Sequence, residues 1–122
     1  MSDRMPALHL NITFSSGARI GPGKATLLES VRDTGSISGA ARTMGMDYKR
    51  AWLLLDTLDR AFDTPVLERK TGGPGGGGAA LTTFGAELLE RYRRMEAETL
   101  ALAEHDLAEL QRHALPSTGP KV

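Results

Sequence analysis

The chain contains no cysteine, so a disulfide scaffold and a cysteine-ligated metal site are both excluded. No apolar run approaches the length needed to span a bilayer, and the opening MSDRMPALHL lacks the pattern of a secretory signal. A cytoplasmic location without membrane attachment is expected. Charge of one sign is also missing, because fifteen Lys/Arg are balanced by fifteen Asp/Glu. Any nucleic-acid surface must therefore be a local patch rather than a global field. The three histidines, His9, His105 and His113, are dispersed and none neighbours a plausible nucleophile. No carboxylate pair, metal cluster or nucleophile–base arrangement stands out, so no enzyme, cofactor or metal site is expected.

The most informative stretch present is Ser36 to Arg60, SISGAARTMGMDYKRAWLLLDTLDR. Ser36 is placed to cap a short helix, Ile37–Met44, and Asp47 a second, from Tyr48 to about Ala61. Gly45 between them suits a sharp turn, since glycine alone enters the left-handed region without a steric penalty. Ala40 and Ala41 are small enough for close helix approach, and Met44, Met46, Ala51 and Leu54 would fill the angle. On the second helix Ala51, Leu54, Leu55, Leu58 and Phe62 form one apolar stripe at helical spacing. The opposite face carries Lys49, Arg50, Leu53, Asp56, Thr57 and Arg60, with a basic first turn. This is the pattern of a helix-turn-helix whose second helix enters a major groove. Two ordinary packed helices with a solvated face would share much of it.

The remainder of the chain frames this pair. Leu8, Leu10, Ile12 and Phe14 alternate with polar residues as in a half-buried strand, with His9 on the solvated side. Ser15 to Gly21 reads as a turn. Pro22 suits a helix start and Gly35 its end, and Ala25, Leu28 and Val31, with Leu27 beside them, give that helix an apolar face. Asp63-Thr64-Pro65 is a break. Val66 to Lys70 reads as a strand, Thr71 to Gly78 (TGGPGGGG) as a flexible loop, and Ala79 to Leu81 as the returning strand. Such a hairpin directly after a recognition helix is a wing, whose tip lies along a DNA backbone or in a minor groove. The glycine run is not a phosphate-binding loop, because no Lys-Ser or Lys-Thr follows it. A dinucleotide fold is excluded by the missing alternation of strands and helices. A plain linker would have to join two domains, for which 122 residues leave little room.

Thr82 or Thr83 can cap a long helix reaching about Arg112. At about 29 residues it would be roughly 43 Å long, more than so small a domain can cover. Phe84, Leu88, Tyr92, Met95, Thr99 and Leu102 mark one apolar stripe. Leu89, Leu100, Ala103, Leu107 and Leu110 mark a second. One stripe can pack on the domain, and a second copy of the helix is the simplest partner for the other. The expected organisation is a disordered N-terminus (1–7), a winged helix-turn-helix (8–81), a dimerisation helix (82–112) and a disordered tail (113–122). The fold class is mainly α with a small β wing.

Taken together, Gly35-Ser36-Ile37-Ser38, Ala40-Ala41-Arg42, Gly45, Tyr48-Lys49, Ala51-Trp52, Leu67-Glu68-Arg69, Thr71-Gly72-Gly73, Gly75 to Gly78, and Leu81-Thr82 with Gly85 resemble the N-terminal domain of the molybdate-responsive ModE family of bacterial regulators. The helix-turn-helix alone resembles the LysR-type regulators equally well. The ModE resemblance implies a homodimer on a two-fold symmetric double-stranded DNA operator and a role in molybdenum-related gene control. Members that sense molybdate carry a further oxyanion-binding region. None is expected within these residues, and a separate molybdate-sensing partner protein is one candidate for that role. Pro74 also departs from a run where a cation could touch phosphate.

The residues assigned to DNA are Lys49 and Arg50 at the start of the recognition helix, with Asp47 and Tyr48 beside them. Ser36, Ser38 and Arg42 on the preceding helix would clamp the backbone, and Arg69, Lys70 and Thr71 would anchor the wing. Trp52 is expected to pack in the core. The dimer seam is assigned to Leu88, Tyr92, Met95, Leu100, Leu102, Leu107 and Leu110. A winged helix used for protein interaction, or a LysR-type domain with an unrelated regulon, would share the framework. Steep loss of DNA binding with salt separates DNA binding from protein interaction.

Overall fold

A computed structural model describes residues 6–70 and 77–116. The elements run β1 (Ile12–Thr13), β2 (Arg19–Ile20), α1 (Pro22–Thr34), α2 (Ile37–Met44), α3 (Tyr48–Asp59), β3 (Leu67–Lys70), β4 (Gly78–Leu81) and α4 (Thr83–His113). The fold is a winged helix-turn-helix continued by one long helix.

The local signals around the central turn act as their chemistry dictates. Ser36 Oγ accepts from the Gly39 amide at 2.9 Å, and Asp47 Oδ1 accepts from the Arg50 amide at 2.9 Å. Each cap is worth about 1 kcal/mol. Gly45 takes φ +67°, the left-handed value that lets α2 stop and α3 begin three residues later. Ala25, Leu27, Leu28 and Val31 of α1, Ile37, Ala40 and Ala41 of α2, and Ala51, Leu55 and Leu58 of α3 are buried together, closed below by Ile20, Val66, Leu89 and Tyr92. Around the edge, Phe62 sits edge-on between Phe14 and Phe84, with ring centroids 4.9 and 5.1 Å away.

The expected N-terminal strand and turn region form a small antiparallel hairpin instead. Burial alternates from Leu8 to Phe14, but the ladder is confined to Ile12 opposite Ile20 and Thr13 opposite Arg19. The wing strands pair antiparallel from Leu67 opposite Leu81 to Lys70 opposite Gly78, one residue shorter at Val66 than the strand expected. The recognition helix ends at Asp59 rather than near Ala61. His113, expected in the tail, closes α4.

Two knots fix the wing to its neighbours. Asp59 Oδ1, at the end of α3, accepts from the amides of Val66 (2.7 Å) and Leu67 (3.0 Å). At the other end, Thr82 Oγ1 accepts from the Gly85 amide at 2.9 Å and donates to Pro65 O at 2.6 Å. Gly85 is buried against this corner, and a Cβ there would collide with the carbonyl oxygen of Val66.

The long helix divides by length rather than by face. Leu89 and Tyr92 are buried, and Phe84 and Leu88 pack against the same core. Tyr92 is fully buried and donates from its hydroxyl to Leu10 O at 2.7 Å. It is therefore a core residue and not part of a dimer seam, which corrects the expectation. Leu88, half-buried against the core, is largely committed in the same way. Next to Tyr92, Arg93 clamps α4 to α1, bonding Glu29 through Nε and Nη2 at 3.0 Å each. Its Nη1 meets Glu96 at 2.8 Å. This pair holds the Glu29 carboxyl below its usual range, chiefly through the hydrogen bond from Arg93, and the arginine's own pKa is raised by the same bond. Beyond it Met95, Leu100, Leu102 and Leu110 are exposed.

Candidate nucleic-acid interface

Ala51, Leu55 and Leu58 bury one side of α3, which turns Lys49, Arg50, Leu53 and Thr57 outward. Tyr48, Lys49 and Arg50 are exposed in the first turn. Among the described residues no salt bridge engages Lys49, Arg50, Arg42 or Lys70. Four cations on the helix-turn-helix and wing are thus left to neutralise an external anion. Several other surface arginines are paired, as Arg91 is with Glu87 and Arg112 with Glu109, whereas exposed Arg19 is not.

The assigned residues fall into two concave regions. One is a cleft of ≈ 260 Å³ where α2, the start of α3 and the wing meet, lined by Ser36, Ser38, Tyr48, Trp52, Arg69 and Lys70, among others. The other is a groove along the outer face of α3, lined by Asp47, Lys49, Arg50, Leu53, Leu54 and Thr57. Arg42 lies exposed in the last turn of α2 and lines neither. Thr71 and the glycines 72–73 and 75–76, with Pro74, fall outside the described residues, so the assigned role of Thr71 and the loop itself are not placed.

Several of the assigned side chains have structural duties, the two expected caps among them. The Asp47 carboxylate is occupied by its cap, which leaves it positioning the first turn of α3. Ser36 Oγ is likewise used on Gly39, with Ser38 Oγ at 3.5 Å. Trp52, expected in the core, is half-buried against it, and the Arg69 guanidinium lies 5.2 Å from its ring centroid. Arg69 Nη2 also stands 3.7 Å from Asp56 Oδ1, while Asp56 Oδ2 holds Arg60 at 3.0 Å. Arg69 therefore ties β3 to the flank of α3, and Lys70 is the wing cation left free. The Asp56–Arg60 pair was readable as an i,i+4 spacing. Asp59, which fixes the wing, offered no local signal, because its partners lie seven and eight residues on.

The groups at this surface carry no buried, unpartnered polar side chain among the described residues, and no cluster of His, Cys, Asp or Glu among them could hold a metal ion. No described helix is long and apolar enough to cross a membrane. The arrangement is a convex helix with a basic first turn beside an antiparallel ribbon, with open grooves rather than an enclosed pocket. It can bind a polyanion by shape and charge.

Residues 24–86 match the family model of the bacterial regulatory helix-turn-helix proteins, lysR family. The chain is also similar to "Transcriptional regulator ModE" of Haemophilus influenzae, 36% identical over 88% of this chain and 40% of the relative. It is 42% identical to "Molybdenum-pterin-binding protein MopB" of Rhodobacter capsulatus over 67% of this chain and 30% of the relative. To "DNA-binding transcriptional dual regulator ModE" of Escherichia coli K12 it is 39% identical, over 58% of this chain and 27% of the relative. The chain spans less than half the length of each of these relatives.

Proposed function

The chain belongs to the bacterial regulatory helix-turn-helix proteins of the lysR family, and from that premise we propose that it is a ModE-like, sequence-specific DNA-binding transcriptional regulator and not an enzyme. The observation that carries this reading is the pair of unpaired first-turn cations, Lys49 and Arg50, on the face of α3 opposite its buried stripe. A helix of about 10–12 Å diameter fits a major groove about 12 Å wide. There Arg50 can present its planar fork to both acceptors of a guanine. Lys49, Tyr48 and the hydroxyl groups of Ser36 and Ser38 then face the flanking phosphates, and Lys70 reaches the backbone from the wing. In this reading Asp47 acts indirectly, by holding the first turn.

The protein acts in the cytoplasm as a homodimer on a two-fold symmetric operator, joined through the distal part of α4. The relatives' names support a link to molybdenum-related gene control. Binding of duplex DNA, followed by fluorescence anisotropy between about 50 and 200 mM salt, tests the reading. Affinity should fall with a log–log slope near −0.9 for each phosphate neutralised. Absent or salt-independent binding would instead favour a protein-interaction module.

A further inference from the structure

Resting on the DNA-binding reading, we propose that Leu53 is a specificity residue that reads the 5-methyl group of a thymine in the major groove. Leu53 is 50% exposed, although it stands between Ala51 and Leu55, which are buried at 0% and 1%. It is one turn beyond Lys49 and Arg50, at i+4 and i+3, so it lies on the same outward face as both. A single exposed leucine is ordinary on a protein surface. Its place here is not, because it occupies the centre of the face that the free cations would bring against a duplex.

The surroundings sharpen the chemistry. Leu53 and Leu54 line the groove along α3 with Lys49, Arg50 and Thr57. The hydroxyl of Thr57 is turned back to donate to Leu53 O at 2.9 Å. The hydroxyl's single proton is therefore used within the helix, and only its acceptor side faces outward. The middle of α3 thus offers a base edge an apolar contact, framed by cations that hold the backbone. In the major groove the thymine methyl is the one apolar feature that distinguishes a base pair. Covering a methyl removes about one CH₂ equivalent of apolar surface from water, a factor of about four in affinity per contact.

The probe is a duplex enriched from a random library by the wild-type protein, remade with deoxyuridine at each thymine in turn. Deoxyuridine lacks the methyl and keeps every hydrogen-bonding group. Wild-type affinity should drop about fourfold at one thymine of each half-site. Leu53→Ala should bind the thymine duplex about fourfold more weakly per half-site and be indifferent to deoxyuridine there. Leu53→Met should keep the discrimination, and all three proteins should share one salt slope and one thermal midpoint. The proposal is overturned if no thymine shows the effect, or if Leu53→Ala still senses it. Failure of the wild type to enrich any sequence or to bind DNA at low salt would remove the DNA reading itself, before deoxyuridine enters.

Discussion

Gly85→Ala should destabilise this protein although it places a better helix former in a helix. In an open helix the exchange stabilises by up to about 1 kcal/mol. Here the added Cβ would collide with the carbonyl oxygen of Val66 and stand 3.1 Å from its carbonyl carbon and 3.3 Å from its Cγ1. The nearest obstacle is backbone, which cannot rotate aside. Either β3 or the first turn of α4 must move, and overpacking of this kind costs about 1–3 kcal/mol. Movement also strains the Thr82 cap, which is bonded to Gly85 on one side and Pro65 on the other, adding about 1 kcal/mol. The net expectation is a loss of about 2 kcal/mol, or roughly 5–10 °C in Tm. Thermal and urea unfolding at one fixed protein concentration measures it, and Ala86→Gly at the exposed neighbouring position gives the ordinary propensity effect as a control. Both substitutions should destabilise, although helix propensity assigns them opposite signs. A Gly85→Ala protein as stable as the wild type or more so would show that α4 is not seated on Val66.

Three further outcomes are expected. Arg50→Ala should cost about 1–3 kcal/mol and relax the preference at one base step of each half-site, whereas Lys70→Ala should weaken all sequences alike and lower the salt slope by about one unit per subunit; operator variants titrated at several salt concentrations would show reversed roles if helix and wing are misassigned. Replacing Leu100 and Leu107 together by Glu should give a monomer in sedimentation with much reduced operator affinity, and a double variant that stays dimeric would place the interface elsewhere. Because Glu29 has its pKa lowered by Arg93, its contribution to stability is complete above the unfolded carboxylate value and is lost as pH falls through the folded value. Wild-type stability should therefore drop in acid by more than that of Glu29→Gln, and parallel curves from pH 6 to pH 3 would show that the clamp contributes nothing.

The parts of this fold that could be read from the chain are those encoded within one helical turn. Ser36, Gly45 and Asp47 each satisfy or terminate a neighbouring backbone group, and so α2 and α3 begin at the residues expected, as α1 does at Pro22. What the sequence hid depends on distant partners. β2 is a ladder of two residues, visible only once Ile20 is found opposite Ile12. The role of Tyr92 is set by Leu10, 82 residues away. Helical periodicity showed which face Tyr92 occupies but not that its own domain covers that face. For the interface the same division applies. The positions of Lys49 and Arg50 opposite the buried stripe follow from spacing, while the attachment of Arg69 to Trp52 and Asp56 requires β3 to return against α3. That contact leaves Lys70 as the unpaired wing cation.

The covered and uncovered parts of α4 explain how a reading head this small could hold a fixed geometry. Its first turn is locked by Thr82 and Gly85 to the base of the wing, which Asp59 in turn ties to the end of α3. Three turns later Arg93 joins it to α1 through Glu29, in a fork with two parallel bonds. These two attachments orient α4 against the wing at one end and against α1 further along. The uncovered portion from Ala97 to His113 extends about 25 Å, and Leu100, Ala103, Leu107 and Leu110 recur on it at intervals of three and four. If two copies join along that stripe, the separation of their recognition helices is set by the stripe's register and by the two rigid attachments. Spacing between half-sites would then be read by residues that never approach the DNA. The interior contacts of Tyr92 and Arg93 would thus serve operator choice as directly as the exposed cations serve affinity.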